Sequence, residues 1–202
     1  MALGFSTEAT GGGGDILPIV KYDAKAGDFI KQDRSQDASG TWVNDQSEMT
    51  MPFKMAMDFD TLEVGWLSFE SGRPDFRMVK IGEAMPARPE GDFKNAFRVR
   101  IASKELGLRE FSHSAKTVLA AMDALHNQYE AEKRNNPGLI PVVEVSGTNT
   151  VKVNTPQGEL RFKAPDWKIV NWIDKPDMMA EAPSEPVAPV STPEGLSEDD
   201  LF

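Results

Sequence analysis

The sequence contains no cysteine and only two histidines, His113 and His126, among its 202 residues. Without cysteine, disulfide frameworks, thiolate zinc sites, iron–sulfur clusters and cysteine nucleophiles are all excluded. Two histidines are too few for a histidine-rich metal site, and no Ser-His-Asp arrangement can be assembled around them. We therefore expect no enzyme activity, no cofactor and no metal site.

Long apolar segments are missing as well. No run approaches the ~20 residues that a membrane span needs. Residues 1–10 lack the basic segment and apolar stretch of a secretory signal. The Gly11–Gly14 run is followed by Asp15 rather than by Gly-Lys-Ser/Thr, so it is not a phosphate-binding loop. These absences favour a cytoplasmic protein without a membrane partner, whose function is binding.

The net charge of −10 is distributed unevenly along the chain. Residues 177–202 hold seven acidic residues and no lysine or arginine, whereas residues 50–176 hold 18 basic and 17 acidic residues. Within that middle part, residues 73–104 carry eight basic residues against four acidic ones. The chain thus combines a locally basic centre with an acidic end.

Both ends of the chain are predicted to lie outside the folded domain. The four consecutive glycines make residues 1–14 a flexible segment. Residues 177–195 are rich in proline and acid, and they cannot bury enough apolar area to offset the ~1–2 kcal/mol per residue of ordering entropy. We interpret residues 177–202 as a disordered acidic tail and residues 15–176 as a single domain.

Hydrophobic periodicity predicts a mainly β domain with one helix. Alternation with period two predicts strands over 16–22, 53–59, 62–69, 76–81, 93–101, 139–146, 150–154, 159–163 and 167–172. Steps of three and four predict an amphipathic helix over about 114–133, with Ser112 or Ser114 as its cap. The polar segment 31–47 predicts an irregular loop that contains Trp42. Several strands with one inserted helix favour an OB-fold-like β-barrel, which binds oligonucleotides.

The residues at 198–202, Glu-Asp-Asp-Leu-Phe, join a carboxylate cluster to two large apolar side chains. We call this segment the acidic tip. A solubilising tail is one explanation, but such a tail gains nothing from an exposed Phe202. The pattern suits a short peptide that inserts its ring into a pocket rimmed with Lys or Arg.

The tail resembles that of single-stranded-DNA-binding proteins of the bacterial and bacteriophage type. In these proteins an OB-fold body is followed by a Pro-rich linker and an acidic tip that ends in Phe. Leu201 stands where the bacterial tip has Pro, which is closer to the looser phage versions. The resemblance covers about 26 residues of this chain, the linker and the tip.

The resemblance implies a role for both the domain and the tip. The domain would bind single-stranded DNA without sequence preference in DNA replication, recombination or repair, in the host cytoplasm if the chain is phage-encoded. The tip, Glu198, Asp199, Asp200, Leu201 and Phe202, would dock on replication or repair proteins and compete with DNA for the protein's own basic groove. A homodimer is left open.

Candidate DNA-binding residues follow from how single strands are held, with basic side chains along the phosphates and rings stacked on the bases. Arg98 and Arg100 project from one face of a predicted strand, about 6–7 Å apart, which is close to the phosphate repeat of an extended strand. No acidic residues alternate with them in the sequence. The full set is Lys54, Arg73, Arg77, Lys80, Lys94, Arg98, Arg100, Trp42, Trp66, Phe69 and Phe76. The plainer explanation is an ordinary charged sheet surface.

Other assignments and functions stay open at this stage. Phe53, Phe59, Phe93 and Phe97 are assigned to the core, and Asp58 and Asp60 to a solvated turn rather than an ion site. A protein-binding adaptor or DNA-mimic inhibitor would share the acidic tail but needs no cationic groove. An RNA-binding or virion-associated structural protein is a further alternative, because contacts to the 2′-hydroxyl cannot be placed from sequence.

Overall fold

The computed structural model describes residues 17–36, 39, 42–156 and 158–180, so residues 1–14 and the acidic tip lie outside it. The described residues form nine strands and one α-helix. These are β1 Ile19–Asp23, β2 Asp28–Gln36, β3 Trp42–Glu48, β4 Phe53–Ser68, β5 Asp75–Lys80, β6 Lys94–Ser103, β7 Gly107–His113, α1 Lys116–Glu132, β8 Leu139–Thr155 and β9 Gly158–Asp174. The prediction of a mainly β fold with one helix is confirmed.

All nine strands belong to one sheet, which does not close on itself within the described ranges. Its order is β3-β2-β1-β7-β6-β4-β8-β9, and β5 pairs with β4 off this path. Only the β1–β7 pairing is parallel among these strands. A hydrogen bond from the Lys163 N–H to the Ala24 carbonyl, 2.7 Å long, links the turn after β1 to β9.

The core lies between the curved sheet and α1. Alternating residues of β4 and β6 point towards the helix, and they meet an apolar stripe at helical spacing on α1. The buried residues that form this contact include Met55, Met57, Val99, Ile101, Val118, Met122 and Leu125. Phe59, Phe93 and Phe97 are buried as predicted, whereas Phe53 is half-buried at the edge of the core. We call the side of the sheet turned away from α1 the outer face.

The predicted irregular loop over 31–47 is wrong. These residues form most of β2 and β3, which pair antiparallel from Ile30 opposite Glu48 to Gln36 opposite Trp42. Their side chains are mainly polar because the ribbon borders solvent, so no apolar alternation marked it as a strand.

The predicted break at Asp60-Thr61, between the strands over 53–59 and 62–69, is wrong too. β4 runs through it without interruption, and a register shift against β6 between Asp58 and Glu63 bends the strand instead. Such an irregularity keeps the strand paired on both sides of the bend.

Asp58 is a further correction, because it is not a solvated turn residue. Its side chain is fully buried on the outer face, and its Oδ2 lies 2.7 Å from the Lys175 Nζ. Its Oδ1 accepts a hydrogen bond from the Asp60 N–H at 3.2 Å. Asp58 is therefore half of a structural ion pair that holds the segment after β9 against the middle of β4.

The chain continues across the outer face beyond that ion pair. A 3-10 turn covers Asp177–Met179, and Met179 is fully buried in a small second cluster with Ala56, Ala102 and Ile140. Folded structure thus extends past the predicted boundary at 176, because Met179 supplies an apolar contact to the outer face.

Arg109 links β7 to β2, two strands that are separated in the sheet by β1. β1 begins at Ile19, opposite Gln32, so β2 extends beyond it without a partner on that side. The buried Arg109 reaches into this gap from β7: its Nη1 donates to the Gln32 carbonyl at 3.1 Å and its Nη2 to Asp33 Oδ1 at 2.5 Å. The hydrogen bond from Arg109 holds the pKa of the Asp33 carboxyl below its usual value.

α1 begins without the predicted serine cap. Ala115 is the N-cap residue, and its N–H donates to Nδ1 of His113 at 2.9 Å. The other ring nitrogen of His113 lies 3.1 Å from the Tyr22 carbonyl oxygen. A neutral ring protonated on Nε2 satisfies both contacts, so His113 fixes the chain just before the helix, whereas no side chain caps the first turn of α1 itself.

His113 makes the stability of the fold depend on pH. Burial lowers its pKa, against smaller raising effects of the Tyr22 hydrogen bond and the Asp23 charge. As the pH falls below about 6.5, the unfolded chain binds a proton at this ring while the folded chain does not. The free energy of unfolding therefore decreases as the pH falls from 6.5 towards the lower pKa of the folded state. We expect urea unfolding at pH 7 and pH 5 to show a larger loss for the natural chain than for His113→Gln. Equal losses would contradict this, and His126→Gln serves as the control.

Candidate nucleic-acid interface

Alternation along β6 places Lys94, Arg98 and Arg100 on the outer face. Cross-strand pairing through β4 adds Phe76 and Lys80 of β5, because directly paired residues share one side of a sheet. We call these five residues the cationic face. Five of the eleven candidate DNA-binding residues are thus brought together.

Arg98 is the best-partnered residue of the cationic face. Its Nε and Nη2 donate to Glu63 Oε2 at 2.9 and 2.5 Å, and its Nη1 lies 3.7 Å from Glu110 Oε1. Its guanidinium carbon is 5.0 Å from the centre of the Phe76 ring. Arg98 is therefore engaged within the protein, where it holds the Phe76 ring in place.

The two carboxylates correct an argument made from sequence, that no acids accompany the arginines. Glu63 and Glu110 come from the strands on either side of β6. The pKa of the Glu110 carboxyl is raised, mainly because the group is buried. The charge of Arg98 opposes this rise, the charge of Glu63 adds to it, and the charge of Arg100 has the smallest effect and lowers the pKa. With four cations and these two carboxylates, the face carries a formal charge of +2 (4 − 2).

Three cations near this face have no ion-pair partner among the described residues: Arg73, Lys80 and Arg100. Lys94 lies 3.4 Å from Asp92, but both side chains are largely exposed, and such a pair contributes little. These four side chains are consequently available to phosphate groups, in contrast to Arg98.

Exposed aromatic surface is found at the end of β4. Phe69 is 62% exposed in the turn that leads to Arg73. Phe76 is half-buried beneath Arg98, with its ring held at the edge of the cationic face. These two rings are the described candidates for stacking on bases.

Trp66 lies on the other side of β4 from the cationic face. Its Nε1 donates to the Pro86 carbonyl at 2.8 Å, and Arg88 lies over its ring at 5.8 Å. Arg77 pairs with Trp66 and shares that side, with its Nε 3.0 Å from Asp75. The structure does not bring these two candidates to the cationic face.

Two further candidates are also separate from it. Lys54 lies near the opposite end of β4, where its ammonium is 3.3 Å from Glu144. Trp42 begins β3, and its side chain is outside the part of the chain that the structure describes.

Sequence reasoning missed cations at two places. Lys175 is brought beside Arg100 because Asp58, its ion-pair partner, is the cross-strand neighbour of Arg100. Lys152 and Arg161 face each other across the outer half of the long β8–β9 hairpin. The alternation of both hairpin strands was visible in the sequence, but their pairing into one long hairpin of two 17-residue strands was not.

The acidic tip lies outside the described residues. We call residues 181–197, which join it to the domain, the tether; the last described residues before the tether are part of the fold. Met179 packs on Ala102 of β6, one position along the outer face from Arg100. The tether therefore starts next to the cationic face.

Comparison with known proteins assigns no family to this geometry. The chain matches no protein-family model, and no curated protein or solved structure matches it. Across the described ranges, no helix is long and apolar enough to cross a membrane. No group of three or more acidic or histidine side chains in those ranges is placed to hold a metal ion.

Proposed function

We propose that this chain is a sequence-nonspecific single-stranded-DNA-binding protein of OB-fold type. The observation that carries the proposal is the cationic face, where Lys80 and Arg100, which have no ion-pair partner among the described residues, share one side of the sheet with the Phe76 ring. The exposed Phe69 lies at its edge, in the turn that leads to Arg73. Cations that track phosphates and rings that stack on bases, at ~1–3 kcal/mol per base, are the means by which single strands are held.

The strand order supports an OB-type barrel. Five strands pair in the order β7-β6-β4-β8-β9, and α1 lies between β7 and β8 in the chain. In this interpretation they are strands three, two, one, four and five of the barrel, and β1–β3 are an addition to its edge. OB-folds bind oligonucleotides on strands two and three and on two of their loops. The cationic face is centred on strand two, and Phe69 and Arg73 belong to the loop between strands one and two.

The tether supports a regulatory role for the acidic tip. Residues 181–202 contain six acidic residues and no basic one, and their attachment point is next to Arg100. Intramolecular attachment raises the effective concentration of these carboxylates at the cationic face. We propose that they compete with DNA there, and that the tip recruits replication or repair proteins.

An anisotropy titration with labelled oligo(dT) tests the proposal. Because neutralised phosphates release counterions, each contact contributes about −0.7 to the salt slope for single strands. Four contacts, from Arg73, Lys80, Lys94 and Arg100, predict about a 50-fold loss of affinity between 50 and 200 mM salt. Deletion of residues 198–202 should raise the affinity at 50 mM.

The same titration separates the alternative functions. If no binding occurs at 50 mM salt with or without residues 198–202, the proposal fails and a protein-binding adaptor or DNA mimic takes its place. If deletion leaves the affinity unchanged or lowers it, only the competition is wrong. A parallel titration with oligo(rU) shows whether RNA is preferred, since only RNA offers the 2′-hydroxyl.

A further inference from the structure

A groove of about 540 Å³ lies at the end of the sheet away from Phe69. Its walls are the junction of β3 with β4 and the turn between β6 and β7. Met49, Phe53 and Leu106 form an apolar floor, and Leu106 is buried. A volume of this size is typical of sites that take apolar side chains of a ligand.

The rim of the groove carries charge of both signs. Lys31, Lys54 and Lys104 line it together with Glu48 and Glu105, a formal charge of +1 (3 − 2). Lys104 is exposed and has no ion-pair partner among the described residues.

The other two lysines are held only by surface ion pairs. Lys31 lies 3.2 Å from Asp33 and Lys54 lies 3.3 Å from Glu144. An exposed pair contributes at most about 1 kcal/mol, so the Lys54 ammonium, which is 61% exposed, can change partner at small cost. Lys31 is more covered, and its partner Asp33 also binds Arg109. The groove therefore offers apolar contact within reach of three lysines.

The tether leaves the fold beside this groove. Met179 packs in the cluster of Ala56 and Ala102, with Leu108 against it. Three residues that line the groove are each two positions along the chain from a residue of this cluster. Lys54 is two positions from Ala56, Lys104 is two positions from Ala102, and Leu106 is two positions from Leu108. Two strand positions span about 7 Å, so the residues that Met179 packs against are about one long side-chain length from the groove.

We propose that this groove is the docking site of the acidic tip of the same chain. Leu201 and Phe202 would cover the apolar floor, and the carboxylates of Glu198, Asp199 and Asp200 would pair with the lysines of the rim. Twenty-two residues follow Ala180, and an extended chain of that length reaches about 70 Å. The tether is long enough to turn back, and it keeps the tip at roughly millimolar concentration near the groove.

This site is distinct from the cationic face. Arg100, the member of the cationic face nearest to the groove along the chain, is four positions from Lys104, about 13 Å in an extended strand. A tip held by its ring in the groove is kept from the cationic face and from partner proteins, so the competition and recruitment proposed above require the tip to leave the groove first. Docking would thus be a resting state of the tip, and it does not require that DNA binds at all.

The absence of natural cysteine allows a direct test with a single nitroxide on Ser197→Cys in the full chain, without DNA. We expect the amides of Thr50, Lys104 and Leu106 to relax at least five-fold faster than that of Lys80. Because the tether starts near the groove, the decisive comparison is Phe202→Ala in the same labelled chain. It should reduce the enhancement at the groove at least three-fold and leave the fold untouched.

Matched charge reversals locate the rim contacts. Lys54→Glu should reduce the enhancement, whereas Lys152→Glu should not, although both lysines are similarly exposed and paired with a glutamate at 3.3 and 3.4 Å. An unchanged enhancement in Phe202→Ala, or a stronger one at Arg98 and Lys80, would overturn the site. Enhancement in a mixture of nitroxide-labelled and isotope-labelled chains would overturn docking within one chain in favour of a second copy.

Discussion

Replacing Lys175 with Ala should lower the free energy of unfolding by about 3 kcal/mol. Asp58 is fully buried, and Lys175 is its only cationic partner within 4.0 Å in the described structure. Removing one member of a buried ion pair leaves an uncompensated charge in a poorly solvated place, which is more costly than losing both. The loss also loosens the segment that brings Met179 to the outer face. Urea unfolding monitored by circular dichroism measures it.

The control for this experiment is Lys168→Ala. The Lys168 ammonium is 3.9 Å from Glu144 and its side chain is 62% exposed, so its removal should cost less than about 0.5 kcal/mol. Adding Asp58→Asn to Lys175→Ala should recover part of the stability, because the buried charge is then gone. Equal stabilities of the two single lysine variants would contradict the structural role of the ion pair.

The double reversal Lys80→Glu with Arg100→Glu should weaken oligo(dT) binding about 100-fold at 50 mM salt. Two phosphate contacts are lost and two repulsive charges replace them, so the salt slope should flatten by about 1.4. The loss should be the same for oligonucleotides of different base composition, since phosphate contacts carry no sequence information. Anisotropy titrations at several salt concentrations measure both quantities.

The choice of residues in this variant follows from the ion pairs. Reversing Arg98 would place a third carboxylate between Glu63 and Glu110 and would unfold the region, so its effect on DNA would be ambiguous. Lys21→Glu with Lys116→Glu changes the charge by the same amount at exposed positions outside the cationic face. If that control weakens binding as much, net charge rather than the cationic face governs affinity.

The parts of the fold that sequence predicted well are those with apolar alternation. Met55, Met57 and Phe59 alternate on β4, and Val118, Met122 and Leu125 recur at helical spacing, so the hydrophobic pattern determined their elements. β2 and β3 were missed because their stability comes from pairing with each other and with β1, and pairing between polar strands leaves no local signal.

The candidate site was predicted in part for a related reason. Alternation correctly placed Lys94, Arg98 and Arg100 on one side of a strand, since the period of a strand is local. The neighbours of that strand are not local: Glu63 is 35 positions from Arg98. Whether a cation is free or paired is decided by strand register, which a single sequence does not specify. The role of Lys175 was missed for the same reason, because it meets Asp58 only where the chain changes direction after the end of β9.

Arg109 has a consequence for how the chain is made. The Gln32 carbonyl that it binds precedes it by 77 residues, and Asp33 precedes it by 76. During synthesis at ~5–20 residues per second, Gln32 and Asp33 are made about 4–15 s before their buried partner exists. An apolar ribbon would be a site of aggregation in that interval, whereas Asp, Gln, Ser and Asn side chains keep it hydrated until Arg109 arrives. The polar composition of β2 and β3 thus has two effects: it removes the apolar alternation that would predict them as strands, and it protects them from aggregation until Arg109 has been made.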